Sequence, residues 1–180
     1  MIALVLATAL QCGASATQID LDECAAADDA RASARERIAY DRARQRMPAN
    51  ALLALGEARW RAARDATCDY YAFDDGSMRP MLFSQCRANA ALARARTLAQ
   101  QRPEPGVAAP AAAAREEARI YGLLEIRLTP AERTLLARSE TLWLRYAKIA
   151  CLRAAAPCAS DLFAARTQEL KDSWLADPFW

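Results

Sequence analysis

Apolar and polar positions recur along most of this chain with a helical period. From about Asp20 to Arg46, alanines alternate with charges. Acids lead (Asp20, Asp22, Glu23, Asp28, Asp29) and bases trail (Arg42, Arg44, Arg46), the order that suits a helix dipole. Pro48 ends that stretch. A second helix is expected from about Ala49 to Tyr71, with Trp60, Arg64, Cys68 and Tyr71 on one face. Phe73 to Pro80 reads as a turn, because Gly76 permits positive φ and Pro80 lacks a backbone donor. A third helix should run from about Met81 to Gln101, followed by a Pro/Ala linker over residues 102–114. Beyond it, helices are expected from Arg115 to Leu128, from Thr129 to about Ala154, and from Ala159 to Trp174. Thr129, Pro130 and Glu132 supply an N-cap, an N1 proline and an N3 acid.

The pattern then repeats itself. Trp60 is followed eight residues later by Cys68, and Trp143 eight residues later by Cys151. A further cysteine follows each, Cys86 and Cys158, and then an Arg-Thr pair, Arg96-Thr97 and Arg166-Thr167. Ala51-Leu52-Leu53 answers Thr134-Leu135-Leu136, and Tyr40 answers Tyr121. The expected fold is all-α: two disulfide-stapled three-helix modules, residues 10–101 and 115–180, the second degenerate. Cys151 and Cys158 are seven apart where Cys68 and Cys86 are eighteen apart, and the second copy lacks the Gly-Ser-Met-Arg-Pro turn.

Composition narrows the class. Glycine is scarce and alanine abundant, which favours helices with a thin core. Net charge is only +2, so no nucleic-acid footprint stands out, and Glu36 and Asp41 dilute the arginines of the first helix. Met1 to Leu10 is a short uncharged apolar run followed by small residues. It reads as a signal peptide over residues 1–9, cleaved after Ala9 or alternatively after Ala16, and is too short for a stable membrane span. A lipid anchor at Cys12 fits poorly, since Gln11 stands where a small residue is needed. Export suits the six cysteines, which pair most simply as Cys12–Cys24, Cys68–Cys86 and Cys151–Cys158, one of about fifteen connectivities.

The chain has no histidine and no CxxC, so no metal site, cofactor or ordinary general base is expected, and the protein is read as a non-enzyme. Trp60, Arg64, Asp65 and Trp143 are expected to be structural, on faces that end at a cysteine. The better candidate for a partner-binding site is the turn, with Asp74, Asp75, Ser77, Met78 and Arg79 inside a loop closed by Cys68 and Cys86. A tethered loop loses less entropy on binding.

Several of these residues also carry a resemblance. Thr17-Gln18, Cys24-Ala25-Ala26-Ala27-Asp28, the run Trp60-Arg61-Ala62-Ala63-Arg64-Asp65-Ala66-Thr67-Cys68, Gly76-Ser77-Met78-Arg79-Pro80-Met81, Cys86 and Arg96-Thr97 resemble the lysozyme inhibitor LprI N-terminal-like domain family. The resemblance covers roughly residues 12–100; residues 115–174 look like a degenerate copy, with Ala147 and Lys148 in place of Arg64 and Asp65. It implies a small, exported, helical bacterial domain whose partner is a protein, lysozyme. The alternative reading is a cell-envelope adaptor that uses its helix faces or the Leu175 to Trp180 tail.

Overall fold

The computed structural model describes residues 16–46, 51–73, 76–99, 110–151 and 157–171. These form six helices: α1 (Gln18–Arg46), α2 (Ala51–Tyr71), α3 (Arg79–Ala99), α4 (Pro110–Arg127), α5 (Pro130–Ala150) and α6 (Pro157–Leu170). No strand occurs among the described residues. The all-α expectation holds, with shifted boundaries. Helix α4 starts at Pro110, inside the segment expected to be linker, because proline suits a first helical turn and alanines 111–114 are strong helix formers.

Helix ends follow their local chemistry. At α5 the expected capping box is present: the Thr129 hydroxyl accepts from the Glu132 N–H, and the Glu132 carboxylate accepts from the Thr129 N–H at 2.7 Å. At α1, Thr17 and Asp20 do the same, with Asp20 accepting from the Thr17 N–H at 2.7 Å. At its other end α1 is tied across to α3, where Arg46 donates to the Leu98 carbonyl at 3.0 Å.

The helices pack in the order α1–α3–α2–α5–α6–α4. Helices α1 and α3 run the same way, since Asp29 meets Arg87 near one end and Arg46 meets Leu98 near the other. Their contact is built on Ala32, Ala88 and Ala91, small enough for the backbones to approach closely. Helices α2 and α5 run antiparallel, with the Thr67 and Ser139 hydroxyls 2.8 Å apart and Gly56 facing Ile149. A larger apolar cluster of Ile120, Leu124, Leu128, Leu136 and Leu170 joins α4 and α5 to the end of α6. The two three-helix sets therefore meet across α2 and α5. Ala63 of α2 shares a core there with Trp143, Tyr146 and Ala147 of α5, and Phe163 packs edge-on against Trp143 at 5.0 Å.

The expected Cys68–Cys86 bridge is formed, with its Cα atoms 5.6 Å apart. No cysteine is free among the described residues. The pairings Cys12–Cys24 and Cys151–Cys158 involve side chains outside the described part, and so do the proposed signal segment and the Phe179-Trp180 tail.

Alanine packing leaves no room for growth. Ala91 is fully buried between α1 and α3, and overpacking such a site costs about 1–3 kcal/mol. Ala91→Leu should lower stability by that amount in urea unfolding followed by far-UV circular dichroism. Ala34→Leu, on the exposed side of α1, should change it little.

Candidate functional site

The turn between α2 and α3 carries the candidate partner-binding residues. Helix α2 stops as Ala72 donates to the Cys68 carbonyl at 3.0 Å and Phe73 to that of Tyr70 at 2.8 Å. The backbone then re-enters a helix as Arg79 donates to Gly76 and Leu82 to Met78. Among the described glycines none has positive φ, so Gly76 does not use the conformational freedom expected of it. Arg79 is the first residue of α3 rather than part of the turn, and Pro80 follows in the first helical turn, where a missing N–H breaks no bond.

Of the five candidate loop residues, the described Ser77, Met78 and Arg79 are all exposed; Asp74 and Asp75 lie outside the described residues. Phe73, which the sequence reading did not single out, is 37% exposed beside them, and Met78 is 45% exposed. Two large apolar side chains and a guanidinium thus point to solvent above a base closed by the Cys68–Cys86 bridge, with Cys68 itself buried. A bridge closing a loop of this length stabilises a fold by about 3 kcal/mol.

Beneath the loop lies an ionic framework on α2. Trp60 is half-buried and touches both the Ala32–Ala88–Ala91 cluster and the Ala63–Trp143 cluster, so it joins the two. Its ring lies beneath two guanidiniums, Arg64 at 5.1 Å and Arg94 at 5.5 Å. Arg64 pairs with its neighbour Asp65 at 2.8 Å rather than with a carboxylate across the bundle. Asp65 also approaches Arg87, which lies 3.1 Å from Asp29 of α1, although the Arg87 Nε–H is not aligned for a hydrogen bond.

Two buried clusters of matching design sit deeper. In one, the Glu57 carboxylate accepts from Arg94 at 3.2 Å and from Arg61 at 3.1 Å, while Arg94 also donates to the Tyr146 hydroxyl at 2.9 Å. In the other, Glu140 accepts from Arg166 at 3.2 Å, and Arg166 lies 5.6 Å from the centre of the Trp143 ring. Arg166 is almost wholly buried and also donates to Thr67, Ser139 and Glu169. The counterpart of Arg166 by contact is Arg94, not Arg96 as the Arg-Thr pairs suggest; Arg96 is exposed. Sequence reasoning missed Glu57 and Glu140, though the signal was present: each stands three residues before its tryptophan.

Each cluster has a second buried acid. Burial, then the neighbouring Glu57 carboxylate, pushes Glu36 up to about 7 against the pull of Arg61. Burial, then Glu140, pushes Glu117 up to about 7 against Arg166. Oε1 of both Glu36 and Glu117 has no hydrogen-bond partner, which suits a neutral carboxyl. Both values lie above the ordinary 4.5, so the folded state takes up protons as pH falls from above 7. The stability they contribute is fully present below 4.5 and is lost as pH rises through about 7. Hydrogen bonds from Arg119 and Lys171 hold the half-buried Glu116 down at about 2, so it opposes this trend only at acid pH. The melting temperature should therefore rise as pH is lowered from about 8 to about 5.5. Glu36→Gln and Glu117→Gln should each raise it at the higher pH by roughly 3 °C and flatten the profile.

Among the described residues, no group of His, Cys, Asp and Glu is arranged to hold a metal ion, and no helix is long and apolar enough to cross a membrane. No curated protein and no solved structure matches the chain significantly. A family model does: the one described as lysozyme inhibitor LprI matches residues 11–98, the span that carries α1 to α3, the Cys68–Cys86 bridge and the exposed turn. Residues 11–98, just under half of the chain, are thus similar to the lysozyme inhibitor LprI family.

Proposed function

We propose that this is an exported binding protein that inhibits lysozyme by placing the α2–α3 turn in the enzyme's cleft. The observation that carries this reading is the exposed Phe73, Met78 and Arg79 above a disulfide-closed base, within the family-matched segment. Lysozyme cleaves with two carboxyl groups, one of them ionised. The Arg79 side chain makes no ion pair among the described residues and is available to meet that carboxylate, while Asp74 and Asp75 meet basic groups on the rim. Phe73 and Met78 supply apolar area for the sugar-binding cleft. The export expected from the N-terminal segment and the cysteines agrees with such a target.

We further propose that the chain is one helical unit used twice, with cysteine staples in both copies. The matched Glu57–Arg94–Trp60 and Glu140–Arg166–Trp143 clusters support this. The second copy has lost the turn and serves as a buttress behind α2. A cell-envelope adaptor without an enzyme target is the competing reading. It is favoured by Leu123, Ile126 and Leu144, which α4 and α5 leave exposed, Ile126 by 80%.

Replacing residues 74–79 with a Gly/Ser turn separates the two. Inhibition of lysozyme by the oxidised protein should fall at least about tenfold while helical content and melting stay the same. The Arg79→Ala, Asp74→Ala, Asp75→Ala triple variant should behave likewise, and reduction with alkylation should abolish inhibition. Full inhibition by the triple variant would remove the charge-pairing mechanism. No inhibition by the wild type at large molar excess would leave the adaptor.

A further inference from the structure

The outer face of the α1–α3 pair carries a feature that the inhibitory turn does not use. Two adjoining grooves run along it, of about 420 and 310 Å³, and Arg35 lines both. One wall is the α1 stripe Arg31, Arg35, Arg42 and Arg46, which spans about 22 Å at helical rise. The facing wall, on α3, presents Gln85 and Asn89, and the floor is alanine, from Ala32 and Ala88 to Ala39 and Ala99. Among the described residues, the only acid lining either groove is Asp28, which is paired with Arg31. Arg35 and Arg42 are exposed and form no ion pair among the described residues, and the Gln85 and Asn89 amides are exposed as well.

We propose that this groove binds a linear anionic glycan, a sugar chain bearing carboxylates along its length. Guanidiniums take carboxylates in bidentate fashion, so the arginine wall reads charge. Amide side chains donate and accept together, which matches sugar hydroxyls, and they stand on the opposite wall. An acidic amphipathic helix would instead need a broad apolar floor. Here the large apolar side chains lining the grooves are Ile38 and Leu92, set among alanines. The groove's length and openness suit an extended chain rather than a small ligand. Its positive charge also sets it apart from the turn, whose acids Asp74 and Asp75 favour a cationic partner.

The test uses the full oxidised chain, with oligogalacturonate as the glycan probe and poly-L-glutamate as a sugar-free polyanion. Calorimetry at low salt should detect oligogalacturonate binding that weakens steeply as salt is added. Arg35→Ala with Arg42→Ala should weaken it at least about tenfold. Gln85→Ala with Asn89→Ala should weaken it about threefold or more, while leaving poly-L-glutamate binding unchanged. All four side chains are exposed, so matching melting curves will establish that these variants fold. The proposal is overturned if oligogalacturonate does not bind at low salt, or if the arginine variant binds it normally. Equal affinity for poly-L-glutamate, or no effect of the amide variant, would also sink it, because a bare charge surface would then account for the binding.

Discussion

The burial of Arg166 is the constraint around which this bundle is organised. A guanidinium taken almost wholly out of water must have its donors met, or the fold pays several kcal/mol for an uncompensated charge. Its partners come from three helices: Thr67 of α2, Ser139 and Glu140 of α5, and Glu169 of its own α6. Satisfying it fixes how α2, α5 and α6 stand relative to one another. Arg94 repeats the device from α3, holding Glu57 of α2 and Tyr146 of α5. Two arginines thus register four helices, beside the aromatic packing of Trp60, Trp143, Tyr146 and Phe163.

That division of labour explains why an alanine-rich sequence can still fold to one arrangement. Methyl-on-backbone packing between α1 and α3 brings the helices close, but similar small side chains offer little to choose one register over the next. The polar clusters make that choice, because a shifted register would leave buried carboxylates and guanidiniums unpaired. Trp60 and Trp143 serve both roles, filling volume while their faces lie against the same cations. The turn is carried on this frame: its exposed side chains stand on a fixed base, which α2, α3 and the Cys68–Cys86 bridge supply.

The helices, the Thr129–Glu132 cap and the Cys68–Cys86 bridge were legible in the sequence because each is set by local spacing. The matched Trp and Cys spacings also pointed to the central helices of the two halves. Helix pairing was not legible. Nothing local tells α2 to lie against α5, since that choice depends on which buried charges find partners far along the chain. The same gap produced the misplaced emphasis on Arg96, an exposed residue in a legible dipeptide, over Arg94, whose importance appears only when Glu57 and Tyr146 are brought to it. In the candidate site the chemistry was readable, and Phe73 was placed in the turn, but its exposure depends on how the ends of α2 and α3 pack and is not set by local spacing.

The Arg166–Thr67 bond joins positions 99 residues apart, one in the second helix and one in the last. Until α5 and then α6 have left the ribosome, α2 lacks first the surface it lies against and then that donor. The amino-terminal half must therefore wait, partly assembled, for nearly the whole chain to be made. Such late closure orders assembly: the keystone arrives last, and the arrangement is locked only when it is set.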